Sequence, residues 1–480
     1  MKYLAKVFVT MSLLCYTNYV NAQQQKESFD EFRKSILNNY DRHRSQILSQ
    51  YGKYLDSLWV AYPQHKGVER NPFPKPADVP TVKDAKPKPK RDVSPIPDRT
   101  PVIGDTPDPK QTRPNLPNNE NAIDISFFGI PLTMTDIDYT IPDRLTRSNV
   151  SDLWSYMYDN VKIDNIIDEI QNIGKKLNLN DYLTFELIRD YVEAKFPDHT
   201  KFTKAAMTHF LLANMGYDAR LAETESGMPL ILIPFNQMVY ARQFLIIDNR
   251  KYFVFSDAPI DQNESVYSCL LPSDLYLGNT FELKLNNLRL PYRPYKYRIS
   301  FGDILLQGEN NENIYPILYH YPQIPFSDYA QSSVSSEMRN DIVSQLQAAL
   351  KSYNKKEKAE KLLHFTQYAF DYATDDENHG FEKPYFFEEM VYYPKCDCED
   401  RSIFYSYLLY HVAGIENLII SYPGHAATAI NLPGYKLQGT SYMYDGKEFY
   451  ISDPTYIGAS TGMCMPQFES VNPTIEYIYK

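Results

Sequence analysis

The sequence predicts an α+β protein built from several structural units. Its 480 residues give room for about three domains of ~150 residues each, and 43% of the residues are hydrophobic, which is enough for buried cores. From Ala122 to the C-terminus, stretches that alternate apolar and polar residues indicate strands, and stretches with apolar residues at helical spacing indicate helices. A proline-rich stretch separates this globular part from the N-terminus.

The composition argues against three classes of protein. The mean hydropathy is −0.46 and no apolar run is long enough to cross a bilayer, so no membrane span is expected. The net charge of −11 argues against nucleic acid as a partner, because nucleic-acid binding needs a basic face. Five cysteines are too few for a disulfide-stapled scaffold of this length.

Residues 1–22 are typical of a cleaved signal peptide. Two lysines begin the segment, an apolar run too short to span a bilayer follows, and small side chains precede a cleavage site near Ala22. Lipid attachment at Cys15 is the alternative, but Leu14 stands where such a site requires a small residue. We therefore expect the protein in the periplasm or outside the cell.

A predicted helix and a predicted linker precede the globular part. Residues 23–62 carry apolar side chains at helical spacing, so we expect a helix that packs on its own domain or docks onto a partner. Residues 63–122 hold 14 of the 33 prolines. Because this stretch has little apolar surface to offset the entropy of ordering, we expect a semi-stiff spacer. A ligand for a proline-recognising module is the alternative.

Three residues near the C-terminus suggest chemistry. Cys398 lies at the start of the helical run in YYPKCDCEDRSIFYSYLLYHVAGI, where unpaired amides and the helix dipole favour a thiolate. Its acidic neighbours oppose this effect, so a cationic partner is needed to hold a thiolate, and His425 is the predicted partner. His425 begins a strand-like run, and Asp453 follows another strand. A thiol, an imidazole and an orienting carboxylate in this order can form a nucleophilic relay.

This order of motifs resembles the transglutaminase-like branch of the papain-like cysteine enzymes. The resemblance rests on DCED at the head of the helix, on LLYHVAGIENLIISYPGHAATAI and on YISDPTY, and it covers about residues 350–465. It implies a papain-like catalytic domain over residues 331–480 that needs no metal or cofactor for its chemistry. It also implies that Cys398 is the nucleophile, His425 the base and Asp453 the residue that orients the base.

Several roles around this motif have alternative assignments. The oxyanion donor is the backbone amide of Cys398, or the side chain of Gln367 or of a tyrosine near Tyr393. Cys396 pairs with Cys464, acts as a redox guard, or stays a buried thiol.

Two metal sites are weaker alternatives. Zinc on Cys396, Cys398 and His425 is disfavoured because the C-x-C spacing lacks a second ligand pair. The acidic residues 375–377 form either a Ca²⁺ site or, as we expect, a solvated loop.

Residues 123–262 are predicted to be a degenerate copy of the C-terminal domain, joined to it by a β-rich segment over 263–330. FPDHTKFTKAAMTHFLLANMGYDARL parallels the Cys398 helix, and IIDNRKYFVFSDAP parallels YMYDGKEFYISDPT. Thr200 then stands opposite Cys398, and Asp257 opposite Asp453, with no histidine between His209 and Asp257. The hypothesis requires a helix followed by a sheet over residues 181–260, and chance similarity is the alternative.

The sequence predicts an exported cysteine hydrolase that cleaves peptide or isopeptide bonds through a Cys398 thioester. Its substrate would be a protein or a cell-wall peptide, and no oligomeric state is indicated. Transamidation, which cross-links amines to glutamine side chains, is the alternative fate of the thioester. A non-catalytic binding or scaffold protein with inactive domains is the rival class, and a Cys398 sealed from solvent would favour it.

Overall fold

A computed structural model describes residue 42 and residues 45–63, 67–70, 73–78, 80–83, 122–269 and 279–480. The predicted signal peptide, residues 1–22, lies outside the described residues. The architecture is α+β, with two units that each carry helices and an antiparallel sheet. One continuous hydrophobic core includes side chains from both units. None of the described helices is both long and apolar enough to cross a membrane.

In the described residues, the N-terminal unit contains five helices and a six-stranded sheet, on which the last of these helices packs. Its helices are α1 (45–52), α2 (Ser151–Asn160), α3 (Ile163–Leu177), α4 (Asp181–Lys195) and α5 (Lys201–Asn214). Its strands are β1 (Trp59–Tyr62), the hairpin β2 (Ala122–Phe127) and β3 (Ile130–Thr135), then β4 (Arg220–Thr224), β5 (Pro229–Ile233), β6 (Phe244–Ile247), β7 (Arg250–Phe255) and β8 (Val266–Cys269). The order in the large sheet is β1-β8-β4-β5-β7-β6, and every neighbouring pair is antiparallel.

The helix predicted over residues 23–62 is shorter than expected at its C-terminal end. The described helix α1 stops at residue 52, a 3-10 turn follows over Leu55–Ser57, and β1 then pairs with β8. Tyr51 and Leu55 are buried in the core of the N-terminal unit, so the segment packs on its own domain. Trp59 and its neighbours continue the apolar pattern, but they do so as a strand.

The segment 263–330, predicted as a β-rich connection, contributes one strand to the N-terminal sheet and also contains a separate hairpin and two short helices. Its first strand, β8, belongs to the N-terminal sheet. A hairpin of β9 (Pro294–Phe301) and β10 (Ile304–Asn311) follows, and then come the short helices α6 (Ile314–Tyr319) and α7 (Phe326–Gln331).

The C-terminal unit places a long helix across a five-stranded sheet. Its helices are α8 (Ser336–Ala349), α9 (Lys355–Ala369), α10 (Asp375–Asn378) and α11 (Cys398–Ala413). Its strands are the short pair β11 (Asp371–Tyr372) and β12 (Lys395–Cys396), then β13 (Asn417–Tyr422), β14 (His425–Ile430), β15 (Ser441–Tyr444), β16 (Lys447–Ile451) and β17 (Thr474–Tyr479). The order in the large sheet is β15-β16-β14-β13-β17, and α11 packs on β13 and β14.

The two units share one topology. In the N-terminal unit, α5 is followed by strands in the order β6-β7-β5-β4-β8, and in the C-terminal unit α11 is followed by β15-β16-β14-β13-β17. The five strands that follow α5 and the five that follow α11 correspond in chain order, and corresponding strands occupy the same place in the two sheets. The helix and sheet that the internal repeat requires over residues 181–260 are therefore present.

A buried ion pair fixes the start of α8. Glu388 is fully buried, and its carboxylate accepts two hydrogen bonds from Arg339, at 2.7 and 2.9 Å. The same carboxylate accepts from the backbone amides of Val334 and Ser335, at 3.0 and 2.9 Å. These contacts tie the segment before α8 to the turn that leads toward α11, so they hold the C-terminal unit together.

We predict that Glu388→Ala destabilises the protein by about 3–5 kcal/mol, because Arg339 would be left buried without its counter-charge. Thermal unfolding followed by circular dichroism measures the effect. The matched control is Glu309→Ala, which removes a half-exposed partner of Lys296 and should cost no more than ~1 kcal/mol. Equal unfolding temperatures for the two variants would contradict the prediction.

Candidate active site

Cys398, His425 and Asp453, here called the relay, come from three neighbouring elements. Cys398 is the first residue of α11, and His425 is the first residue of β14. Asp453 lies two residues beyond β16, which pairs with β14 in antiparallel register. Because α11 packs on β14, the start of the helix and the ends of the two strands meet at one edge of the sheet.

The imidazole of His425 is held by a carboxylate. Its Nε2–H donates to Oδ2 of Asp453 at 2.8 Å, and both side chains are buried. The other oxygen of Asp453 accepts from the amides of Thr455 and Tyr456, at 2.8 and 3.2 Å. The ring of Phe468 stacks parallel to the imidazole with 5.4 Å between centroids. Nε2 therefore carries the proton, and Nδ1, which makes no hydrogen bond, is the basic nitrogen.

The thiol of Cys398 is buried, and Nδ1 of His425 makes no hydrogen bond with it. Its Sγ accepts a hydrogen bond from the amide of Ala426, the residue after His425, at 3.4 Å. The thiol donates to Oε2 of Glu399 at 3.1 Å, and the residue is 0% exposed. Burial raises the pKa of the thiol well above its usual range, and the charges of Glu399 and Asp397 add to this.

The expectation that the helix start favours a thiolate is therefore not met in this closed structure. A charged sulfur would lose its hydration and face the carboxylate of Glu399, and these costs exceed the attraction of the helix amides. The protonated thiol is the stable form here. The structure thus brings Cys398, His425 and Asp453 to one edge of the sheet, with the thiol buried and without a hydrogen bond between the thiol and the imidazole.

Gln367, one candidate oxyanion donor, is fully engaged elsewhere. Its amide nitrogen donates to the carbonyl oxygens of Asp453, Tyr456 and Ala459, at 3.1, 2.9 and 3.0 Å. Its amide oxygen accepts from the backbone of Gly458 at 3.2 Å. Gln367 is a positioning residue that shapes the loop after β16, and it has no donor left for an oxyanion.

Tyr393, the other side-chain candidate, packs into an aromatic cluster with His379 and Tyr385, at 5.0 and 4.9 Å between ring centroids. Its hydroxyl is buried without a hydrogen bond. None of its described contacts is to Cys398, so the backbone amide of Cys398 stays the predicted oxyanion donor.

Lys75 is the cation that the acidic neighbours of Cys398 require, and the sequence reasoning missed it. Its side chain is only 5% exposed. The ammonium lies in an acidic pocket, defined by four carboxylates: Asp397 at 2.6 Å, Asp375 at 3.1 Å, Glu382 at 3.1 Å, and Glu399 in closer contact. Burial alone would lower the pKa of Lys75, but the carboxylates raise it well above its usual value.

This position corrects two expectations. The residues around Lys75 were predicted as part of a spacer over 63–122, yet they pack against the C-terminal unit. The acidic residues 375–377 were expected in a solvated loop; Asp376 and Glu377 are exposed, but Asp375 is 3% exposed. A single lysine in a proline-rich stretch has no periodicity or motif that could have predicted its partner.

The four carboxyl groups of the acidic pocket have pKa values that are shifted in different directions. Burial raises the pKa of Asp397 and of Asp375, and it raises that of Glu382, together with the charge of Glu399, to about 8. Burial would do the same to Glu399, but Lys75 lowers the pKa of Glu399 to about 2. Glu399 is thus the ionised carboxylate that links the ammonium to the thiol.

Cys396 is a buried thiol, which is one of the three alternatives that the sequence left open. The four described cysteines are all thiols, so Cys396 and Cys464 do not form a disulfide. Sγ of Cys396 donates to the carbonyl of Asp371 at 3.7 Å and accepts from Arg401 at 3.4 Å. Among the described residues, the groups close enough to share an ion include neither Cys396 nor His425, so the zinc set is not brought together. Those groups are Asp397, Cys398 and Glu399; Asp375, Asp397 and Asp400; and Asp375, Glu382 and Glu399.

The N-terminal unit has no matching relay among its described residues. Thr200 caps α5, and its hydroxyl accepts from the amide of Thr203 at 3.2 Å. The side chain of Asp257 is half exposed and pairs with Arg189 and Lys201, at 3.2 Å each. The nearest sequence candidate for a base, His209, is buried within α5, and burial lowers its pKa to about 4.

Comparison with known proteins adds no family assignment. No protein-family model matches the sequence, and no significant match is found among curated proteins. The site has to be interpreted from its own geometry.

We predict that Lys75→Met lowers the unfolding temperature more at pH 8 than at pH 5. Raised carboxyl pKa values in the folded state mean that stability falls as pH rises through them, since the unfolded chain gives up those protons first. Without the ammonium this loss grows, and the favourable ionisation of Glu399 disappears. At pH 8 the cost should be about 3–5 kcal/mol.

Thermal unfolding at the two pH values measures this difference. Lys83→Met, which removes an exposed lysine further along the same segment, is the matched control and should show no such dependence. An effect of Lys75→Met that is the same at both pH values would contradict the electrostatic account.

Proposed function

We propose that the C-terminal unit is a cysteine hydrolase that cleaves amide bonds through an acyl thioester on Cys398. One observation carries this proposal. The hydrogen bond between Nε2 of His425 and Asp453 leaves Nδ1 of His425 as the free basic nitrogen. The amide of the next residue, Ala426, contacts the Cys398 sulfur. A thiol, a base and an orienting carboxylate are thus held by three rigid elements.

The reaction follows from these positions once the site is open. The thiol of Cys398 gives its proton to Nδ1 of His425, and the sulfur attacks the carbonyl carbon of the amide. The carbon–nitrogen bond breaks as Nδ1–H protonates the leaving amine, and a thioester remains on Cys398. Water then attacks the thioester with Nδ1 as the base, the carbon–sulfur bond breaks, and the thiol is regenerated with release of the acid. Asp453 stabilises the imidazolium in both steps.

A second candidate function is favoured by the burial of Cys398. A thiol that never opens to solvent cannot reach a substrate, and the protein would then be a non-catalytic binding or scaffold protein. The two candidates differ in whether His425 controls the reactivity of Cys398 when the site opens.

The proposed export signal places the reaction in a compartment where water is abundant, so hydrolysis is preferred to transamidation as the fate of the thioester. The substrate is proposed to be a protein or a cell-wall peptide. Both outcomes share the first step and differ only in the nucleophile of the second.

We predict that alkylation of Cys398 by iodoacetamide at pH 6 is at least about tenfold slower in His425→Ala than in the native chain. Labelling occurs when the site opens, and in the open site an imidazole that accepts the thiol proton provides a thiolate well below the ~8.5 pKa of a free cysteine. Peptide mass spectrometry measures the rate at Cys398. His411→Ala, which changes an exposed histidine at the end of α11, should leave it unchanged. Equal rates in all three proteins would favour the binding protein.

We predict that the full chain, given a mixture of peptides, releases products that have gained the elements of water across an amide bond, and that Cys398→Ala does not. Mass spectrometry of the mixture identifies the new termini. Products in which an added primary amine replaces the leaving group would identify a transamidase. No product of either kind from a chain with a reactive Cys398 would contradict both reactions for the peptides used.

A further inference from the structure

A segment of the predicted linker crosses the face where the relay residues meet. This strap consists of residues 73–78 and 80–83. At its start the carbonyl of Pro74 lies against Gly424, the residue before His425. A Cβ at Gly424 would lie 2.7 Å from that oxygen, so the strap and the turn before β14 touch at backbone level. Gly424 also adopts a φ of +73°, which favours glycine at this position.

Further residues of the strap also contact the surroundings of the site. The hydroxyl of Tyr372 donates to the carbonyl of Pro76 at 2.7 Å. Farther on, the amide of Val82 donates to the carbonyl of Ile457 at 3.0 Å, and the amide of Ile457 donates to that of Pro80 at 2.8 Å. Ile457 belongs to the loop that follows Asp453, so the strap contacts the surroundings of all three relay residues.

Lys75 is the strap residue that enters the site. Its ammonium fills the acidic pocket, whose member Glu399 also accepts the hydrogen bond of the Cys398 thiol. One carboxylate therefore separates the ammonium from the reactive sulfur. Asp397 is fully buried, and its Oδ1 has no hydrogen-bond partner, so the pocket retains acceptor capacity beyond what Lys75 uses.

The surroundings of the pocket supply little other positive charge. The ammonium of Lys383 pairs with Glu389 at 2.8 Å, and only its backbone amide contacts the pocket, by donating to Asp375 at 2.7 Å. Asp400, next to the pocket, adds a further carboxyl group. A cation is thus needed whenever these carboxylates are ionised.

The pocket recognises an ammonium and does not activate it. The four carboxylates hold Lys75 in its protonated form, which has no lone pair to attack a thioester. A substrate ammonium bound in the same place would likewise stay charged. It would anchor the substrate beside the sulfur and would not act as the second nucleophile.

We propose that the acidic pocket is a subsite for an alkylammonium group of the substrate, such as a lysine or diamino-acid side chain, and that Lys75 of the strap occupies this subsite and keeps the site closed. The proposal rests on the proposed function for the meaning of "substrate", but the binding of an ammonium does not require catalysis. The strap then has to leave before a substrate can bind.

A divalent cation is the competing occupant. Two carboxylate triads of the pocket and its surroundings have oxygens within 4.8 Å of one another, which is close enough to share an ion. The ammonium of Lys75 lies on members of both triads, which favours a compact organic cation as the natural ligand. The experiment therefore includes Ca²⁺ as a separate arm.

The first measurement compares the rate of Cys398 alkylation by iodoacetamide at pH 7.5 in the native chain, Lys75→Met and Lys83→Met. Release of the strap should speed the labelling in Lys75→Met by at least about tenfold, since a sealed thiol reacts only through opening. Lys83→Met should match the native chain. Lys75→Arg, which keeps a cation, should stay slow, and circular dichroism verifies that each variant is folded. Labelling of a folded Lys75→Met at the native rate would overturn the proposal.

The second measurement adds a ligand to Lys75→Met. N-acetyl-lysine methylamide at millimolar concentration should slow the labelling of Cys398 severalfold, whereas N-acetyl-norleucine methylamide, which lacks the ammonium, should not. Equal protection by both, protection by neither, or protection by CaCl₂ alone would overturn the proposal. Protection, compared with and without ligand in the same variant, should weaken in Lys75→Met/Glu399→Gln, which removes the ionised carboxylate of the pocket.

Failure of the proposed function gives a different result. If His425→Ala leaves the labelling of Lys75→Met unchanged while N-acetyl-lysine methylamide still protects, then the ammonium subsite stands and the relay does not activate the thiol. A thermal shift of Lys75→Met/Cys398→Ser with the lysine derivative, and none with the norleucine derivative, measures the binding without any reactive sulfur.

Discussion

Buried negative charge beside Cys398 is the constraint from which the arrangement of the site follows. Several carboxylates are held out of water near the start of α11, and burying that charge is costly unless a cation neutralises it. The ammonium of Lys75 supplies the cation, and it comes from a segment more than three hundred residues earlier in the chain. Because Glu399 contacts both Lys75 and the Cys398 thiol, the same interaction that neutralises the pocket also sets the state of the sulfur.

The closed relay and the strap are therefore two aspects of one electrostatic arrangement. With the strap in place, the thiol is protonated and donates to Glu399, while the imidazole of His425 is already oriented by Asp453. In the proposed reaction, His425 and Asp453 would keep this arrangement. What would have to change is the environment of the sulfur. Departure of the strap would admit water to the site and remove the ammonium of Lys75. Under the proposed function, such a site is assembled in advance and opened locally.

The shared strand order of the two units shows how one scaffold holds different chemistry. In both units a helix start and two strand ends meet at one edge of the sheet. In the C-terminal unit these positions carry Cys398, His425 and Asp453. In the N-terminal unit a threonine caps the helix, and Asp257 pairs with surface cations. The topology positions the side chains, and their identities decide whether a relay exists.

Local patterns in the sequence were enough to predict the α+β class, the long helix that Cys398 begins, and the strands that bring His425 to Asp453. These features depend on spacing along neighbouring residues, where apolar periodicity reports burial. The same reasoning placed Asp375 in a solvated loop and kept Gln367 as one alternative oxyanion donor, because the partners of both lie far away in the chain. It also gave residues 73–83 to a spacer, since their composition has little apolar surface. Contacts made through one ammonium and a few backbone groups produce no periodic pattern in the sequence. The carboxylate partners of Lys75 and the burial of the Cys398 thiol are therefore visible only in the folded chain.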